Sequence, residues 1–563
     1  MICRFILVAT LITNGLAQQP SATTITLGLF TTRTVHSLTI SPLGANAWQQ
    51  TCPTCQHTAL HAPVHFEDLD HTIQLGGDFR IQSDGDAPTI EAAGIYTVAP
   101  TTDGLRATLQ LPSERYVAAV LSAEAAPDEP PTSLEALAIA ARTFAMANRH
   151  RHKTDNFDLC DSTHCQALHL GPIRLTIAQA VRNTAGISLW DGSHLASIYY
   201  TQHCGGISEA AAALWPDEHV SHLTSHTDPY CLRRSTAAWQ TNVPFSDLYR
   251  IASEQSWNLP MPITGIRVAR LTASGRAKLL EISSPTRTAT ISASSLHFGV
   301  NRTLGWNRIR SDLYTVVVRG NMLHFTGHGY GHGLGLCQAG AFQMALEHHT
   351  TAEILAFYFP NTRLGLTPSG GLWHEENVGP MTLRTVTPDP KVTEAAQFAW
   401  QRAIALLPPV GEIPHPTITF APTTELFRQL TASPGYLLAI TRGNQITLQP
   451  LLILKRNGPI EPLLLHELLH TLIESQSTDK APLWLREGLA EALADVPSAY
   501  TPPTSSLAAI EQKLVNPSSF AEFRRAHRDA AAVVRSLGHT YSLAVMRQWL
   551  RDGVPAQALG SLP

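Results

Sequence analysis

The chain of 563 residues has no long apolar run. Past residue 17, no segment approaches the ~20 consecutive apolar residues that a bilayer-spanning helix needs, so no stable helical span is expected. A positive balance is missing as well. The 40 Lys and Arg stand against 44 Asp and Glu, a formal charge of −4, and no surplus of cations marks a nucleic-acid-binding surface. Charged residues make up only 15% and hydrophobic residues 44%, an ordinary globular mix rather than a disordered composition. No segment repeats at a solenoid period. The length allows two to four domains at roughly 150 residues each. Histidine is plentiful, at 26, which leaves room for metal-linked or pH-sensitive chemistry.

The first residues, "MICRFILVATLITNGLAQQP", place Arg4 before an apolar core from Phe5 to Ile12. Small residues follow at cleavage-type spacing, Gly15 and Ala17. This resembles a secretory signal peptide over 1–17, cut after Ala17, and implies export to a periplasm, cell wall or medium. Removing Cys3 leaves seven cysteines: 52, 55, 160, 165, 204, 231 and 337. Export favours disulfides, and an odd count leaves at least one thiol free or bound to metal.

The pattern changes along the chain. From about Thr23 to Leu366, short alternating stretches such as "ITLGLF", "HSLTIS" and "GIYTVAP" read as strands bounded by Gly, Pro and Asp. One helix is expected among them, Ser133 to Arg149, with Ser133 as its N-cap. "TPSGGLWHEENVGP" reads as a linker. From Asp389 the pattern turns helical, broken by a hairpin in "YLLAITRGNQITLQPLLIL". The fold class is therefore α+β: a β-rich domain over 22–366, a linker over 367–388, and a mostly helical domain with a small sheet over 389–563.

"LLLHELLHTLI" begins at Leu463. A helix puts His466 and His470, four apart, on one face where both can hold one cation. Glu467 sits where it can take a proton from water as a general base. Glu487, in "PLWLREGLAEAL", is placed to return as a third ligand on a second helix. Glu491 is one turn further on and is expected at the surface. These residues resemble the gluzincin metallopeptidases of the peptidase MA-like group. That resemblance implies zinc on His466, His470 and Glu487, with Glu467 as base. It also makes the upstream hairpin the edge strand that pairs with extended peptide.

In the larger half, "LPSERYVAAVLSAEAAPDEPPTSLEALAIAARTFAMANRH", "FDLCDSTHCQALHLG", "IYYTQHCGGISEAAAALWP", "DPYC", "FTGHGYGHGLGLCQAGA" and "EILAFYFPNTRLG" occur in that order. Together they resemble the SpoIID/LytB family, the stage II sporulation protein D and amidase-enhancer group. The resemblance implies lytic transglycosylase cleavage of peptidoglycan glycan strands, with Glu124 as the catalytic acid. It puts Arg142, Tyr200, Gly205, Gly206, His328, His332 and Gln338 in the glycan-binding set. Alternatively, the domain only binds the wall and enhances a partner amidase, or delivers the metallopeptidase to it. Cys160, His164 and Cys165 form either a second zinc site, with His152 as a fourth ligand, or a Cys160–Cys165 disulfide. Cys204 and Cys231 are candidates to pair, and Cys337 to remain unpaired. "CPTC" at 52–55 is a disulfide or half a metal site.

The loop 327–335 carries glycine at every second position. A phosphate cradle is disfavoured, because no Lys accompanies it and no strand–turn–helix setting surrounds it. Bare backbone at this spacing lets a sugar ring or a neighbouring strand approach closely. The loop is expected to face Glu124 across a groove.

Overall fold

A computed structural model describes residues 24–559 apart from 45, 53, 86, 216–219, 432, 495–501 and 516–518. The expected signal peptide lies outside the described residues. The chain divides into two compact units, Ile25–Trp373 and His374–Pro563. Mixed α+β structure is present as expected, β-rich in the first unit and helical in the second.

In the first unit the strands Ile73–Ser83, Ile90–Thr101 and Gly104–Pro112 form an antiparallel meander. Ile73, Leu75, Phe79 and Ile81 turn inward while the residues between them are mostly exposed, the alternation of a sheet with one wet face. Thr24–Leu29 extends the sheet and takes Leu159–Cys160 as a parallel neighbour. The helices Ser113–Glu124 and Pro131–Ala147 share one apolar core with this sheet. A second cluster in the same unit is built on two three-stranded sheets and the helices Phe245–Glu254 and Ala293–Leu304.

Helix Pro131–Ala147 is enclosed on nearly every side, and the run of alanines in "ALAIAARTFA" lets its neighbours come close. It begins two residues earlier than expected. Pro131 occupies the first turn, where its missing N–H costs nothing, and Pro130 is the N-cap. Ser133 is not the cap: its hydroxyl donates to Glu129. Arg142 is only 2% exposed. Its guanidinium makes a bidentate pair with Glu114 (2.9 and 2.6 Å) and donates to the Ile187 carbonyl.

The second unit is built on a five-stranded sheet ordered His374–Val378, Met381–Thr385, Thr417–Phe420, Gln445–Leu448 and Ala439–Arg442. Residues 374–385 were expected within the linker 367–388. They form instead an antiparallel hairpin of this sheet, with Val378, Met381 and Leu383 in the core. The hairpin expected upstream of the histidine motif is present, and Ala439–Arg442 is an edge strand. Helices Pro390–Leu406, Ile460–Glu474, Leu483–Ala494 and Phe520–Gly538 pack around the same core. Among the described residues, no helix is long and apolar enough to cross a membrane.

The Arg142–Glu114 pair yields a stability ordering. Arg142→Met leaves Glu114 without its partner beside the core and should lower unfolding free energy by ~3 kcal/mol. Arg267→Ala breaks a pair with Glu281 in which the arginine side chain is 64% exposed, and should cost under ~1 kcal/mol. Denaturant titration of the two variants checks the order.

Candidate functional site

Glu124 is the last residue of helix Ser113–Glu124. The preceding turns, Tyr116 to Leu121, are locked in the core, so the carboxyl is delivered from a rigid support. Burial raises the pKa of Glu124, and a hydrogen bond from Gln338 Nε2 to its Oε2 at 3.3 Å acts in the opposite sense. Gln338 opens helix Gln338–Leu346, directly after the glycine loop.

Tyr200 stands close by. Burial pushes its phenol well above the usual value, with the Glu124 carboxylate adding to the effect. Its Oη accepts from Gln166 Nε2 at 2.9 Å, and Gln166 Oε1 accepts from Tyr116 Oη at 3.1 Å. Gln166 was not anticipated from the sequence; its position directly after Cys165 was the available clue.

The glycine loop resolves into protein-on-protein packing. Gly329, Gly331, Gly333 and Gly335 all have positive φ, which non-glycine residues rarely adopt. A Cβ at Gly329 would lie 2.9 Å from the His203 carbonyl; at Gly331, Gly333 and Gly335 it would overlap Thr201 Oγ1, the Arg276 guanidinium and the Tyr199 carbonyl. Of the two expected visitors, sugar or strand, the neighbouring strand is the one in place. Tyr200–Thr201 pairs in parallel with Leu336–Cys337, and Tyr330 and His203 exchange backbone hydrogen bonds of 2.8 and 3.0 Å.

His332 borders this group. Its Nδ1 accepts from the Leu334 N–H at 3.0 Å and its ring lies edge-on to Tyr199. The protein packed around the ring, and secondarily the Arg276 guanidinium, lower its pKa to about 4, so it is neutral at pH 7. His328 is exposed, with its backbone against Gly205 and its carbonyl accepting from Ser311. Gly205 and Gly206, both at positive φ, turn the chain away from Cys204. Arg142 does not join the group, because Glu114 and the backbone occupy its guanidinium.

Cys160 and Cys165 carry free thiols, so the disulfide alternative is not what forms. His152, Cys160, His164 and Cys165 bring four ligand atoms within 4.8 Å of one another. Cys165 Sγ lies 3.5 Å from His152 Nε2, and His164 Nδ1 lies 3.7 and 3.9 Å from the two sulfurs. Tetrahedral zinc with thiolate and imidazole ligands sets them about 3.4 to 3.8 Å apart, so the donor set fits such a cation. His152 Nδ1 faces Asp155 at 3.3 Å, which orients the ring. Cys52 and Cys55 form a disulfide.

In the second unit His466 Nε2 and His470 Nε2 are 3.0 Å apart, and Glu487 Oε2 is 3.2 Å from His470 Nε2. All three offer ligand atoms to one point. Glu487 Oε2 is buried and accepts no hydrogen bond of ordinary geometry, a gap that a cation would fill. Burial alone would lower the pKa of His470, yet the Glu487 carboxylate beside it raises it to about 9: the pocket draws in positive charge. Thr441 Oγ1, on the edge strand, donates to Glu467 Oε2 at 2.6 Å.

Glu491 is not simply a surface residue. Its Oε2 lies 3.2 Å from His466 Nδ1, the far side of that ring from His470. His527, from helix Phe520–Gly538, lies 3.5 Å from Glu487 Oε2. No motif spacing announced it.

Residues 101–190 match the SpoIID family, described as a stage II sporulation protein. An uncharacterized protein of Brachyspira hyodysenteriae is 29% identical over 275 residues, 48% of this chain and 71% of that protein. Stage II sporulation protein D of Bacillus subtilis is 24% identical over 271 residues, 45% of this chain and 74% of that protein. These likenesses support the SpoIID family.

A carboxylate on the outer nitrogen of a ligating histidine tunes its basicity and orientation. Glu491→Gln should therefore weaken divalent-metal affinity at His466 and His470 by about 10- to 100-fold, while Glu491→Asp keeps part of it. Competition with a chromogenic chelator reads the difference.

Proposed function

We propose that this protein is an exported member of the SpoIID family that acts on the cell wall, cutting peptidoglycan glycan strands as a lytic transglycosylase through Glu124. A second, zinc-dependent peptidase activity resides in the His374–Pro563 unit. The glycan reading rests above all on Glu124: a carboxyl with a raised pKa, on a rigid helix end, touched by Gln338 and flanked by Tyr200, inside the segment that matches the family.

A half-buried carboxyl whose pKa is raised by its surroundings holds its proton more firmly than a free carboxyl, which suits a general acid. Glu124 donates its proton to the glycosidic oxygen as the bond to the anomeric carbon breaks. The resulting carboxylate takes the proton of the muramic 6-hydroxyl as that oxygen attacks the anomeric carbon. The products are a 1,6-anhydro end and a free hydroxyl on the leaving sugar, and no water is consumed. One carboxyl serves both steps, whereas a glycoside hydrolase generally needs two. Gln338 holds the Glu124 carboxylate in place, and Tyr200, kept protonated by burial, stays a neutral neighbour.

In the second unit His466, His470 and Glu487 would hold the cation, which when bound acts as a Lewis acid on the scissile carbonyl and on water. Glu467 takes the proton of the attacking water, its carboxylate steadied by Thr441. The Ala439–Arg442 strand, being an edge, offers backbone groups to an extended peptide.

Incubation of purified glycan strands with the protein should release muropeptides with anhydro-muramyl ends, and Glu124→Gln should lose at least ~100-fold in rate. Wall binding without new anhydro ends would overturn the glycan-cleavage reading and leave an enhancer of a partner amidase. His466→Ala should abolish peptide cleavage and leave the anhydro products unchanged.

The Gln338 hydrogen bond lowers the Glu124 pKa, so Gln338→Ala should raise it. The rate requires the protonated acid and falls as pH rises through that pKa. The alkaline limb of the pH–rate profile therefore moves to higher pH in the variant.

A further inference from the structure

Cys204, Asp228, Cys231 and Cys337 come from three segments of the chain, yet all four are 0% exposed and their ligand atoms lie within 4.8 Å of one another. Cys204 follows the Tyr200–Thr201 strand, Asp228 and Cys231 start the short helix Pro229–Arg234, and Cys337 ends the strand that leads into Gln338. The Cys204 and Cys231 sulfurs are 3.4 Å apart, and Cys204 Sγ is 3.2 Å from Asp228 Oδ2. From this geometry we infer that the four side chains form a closed, tetrahedral zinc-type site that pins the base of the glycine loop to the 199–206 segment.

Ligands around one tetrahedral zinc sit about 3.4 to 3.8 Å apart, and the observed separations lie near that range. Three sulfurs and one carboxylate suit a borderline-soft cation and not calcium or magnesium. With four protein ligands and no exposure there is no open position, the form of a structural site. The groups are also oriented from outside. The Cys204 N–H donates to Cys337 Sγ at 3.2 Å. Asp228 Oδ1 accepts from the Tyr230 and Cys231 N–H groups, which leaves Oδ2 turned to the sulfurs, where it accepts from Tyr358 Oη at 2.9 Å. Gly205 and Gly206, both at positive φ, let the chain wrap the Cys204 sulfur, and a side chain at Gly340 would strike Tyr358 and Asp228.

A disulfide explains less. Bonding Cys204 to Cys231 uses two of the four groups and leaves the Cys337 thiol and the Asp228 Oδ2 edge, both fully buried, outside the bond. A cation resolves all four at once. The buried Arg276, which donates to the Cys204 carbonyl, adds positive charge beside the anionic set.

The site is independent of the glycan and peptidase readings, and its test is metal content. Full-length protein, purified under reducing conditions with zinc and then desalted, is measured by elemental analysis in a His466→Ala/His470→Ala background. Two equivalents are expected, falling to one in Cys204→Ser/Cys231→Ser. Asp228→His, which keeps four ligands, should retain both. Should the double serine variant fail to fold, zinc X-ray absorption on the background protein decides. Cys2His2 and Cys3Asp sites together average roughly two and a half sulfurs per zinc. A single equivalent with two sulfurs, or a Cys204–Cys231 disulfide in a non-reducing peptide map of the protein as exported, overturns the inference.

Discussion

The close approach of two backbones, residues 327–337 against 199–205, is the constraint on which the first unit's site depends. Neither segment has much regular structure of its own: the ladder covers Tyr200–Thr201 and Leu336–Cys337, and His203 and Tyr330 add an isolated bridge. What brings them together is the absence of side chains. Four glycines at positive φ remove the Cβ atoms that would collide with Tyr199, Thr201, His203 and Arg276, and the freed distance is taken up by backbone hydrogen bonds. Once that register is set, Gln338 follows Cys337 and meets Glu124, while Tyr200 is delivered from the other strand.

The second unit repeats the principle in a helical setting. Gly488 lies against the Ala530 carbonyl, where a Cβ would sit at 2.5 Å. Helix Leu483–Ala494 can therefore press against Phe520–Gly538, and the approach carries His527 to within 3.5 Å of Glu487. Glu487 and Gly488 are adjacent, so the carboxylate that meets His470 and the residue that permits the packing are neighbours. Glu491, one turn along, then falls beneath His466. A charged cluster of this kind is stable in an apolar surround only when its members compensate one another.

Local periodicity was legible where one interaction dominated. The alternating stretches became strands because each buries one face, and the two histidines four apart shared a helix face because the helix repeat requires it. The edge hairpin was visible from its turn, "RGN", between apolar runs. Misreadings arose where composition spoke against tertiary context. "TPSGGLWHEENVGP" has the residues of a linker, yet residues 374–378 are held by pairing with 381–385, whose inner face is apolar. Ser133 looked like a cap, but the two prolines before it start the helix earlier. Arg142 looked like a ligand for sugar; whether an arginine faces a groove or a glutamate at the core's edge depends on what lies 28 residues away.

The sequence by itself determined the α+β grammar, the helix face shared by two histidines and the need for bare backbone in the 327–335 loop, because each is encoded within one helix turn or one strand; Glu124 stood out only through the ordered set of motifs that resembles a family. Only the tertiary structure decided which side chains meet. It chose neighbouring protein rather than ligand against the glycines. It kept Cys160 and Cys165 as free thiols beside two histidines, and it gathered Cys204, Asp228, Cys231 and Cys337 in one buried cluster. Those outcomes depend on distances between residues tens to hundreds of positions apart, and such distances are set by the packing of whole elements, which no local pattern carries.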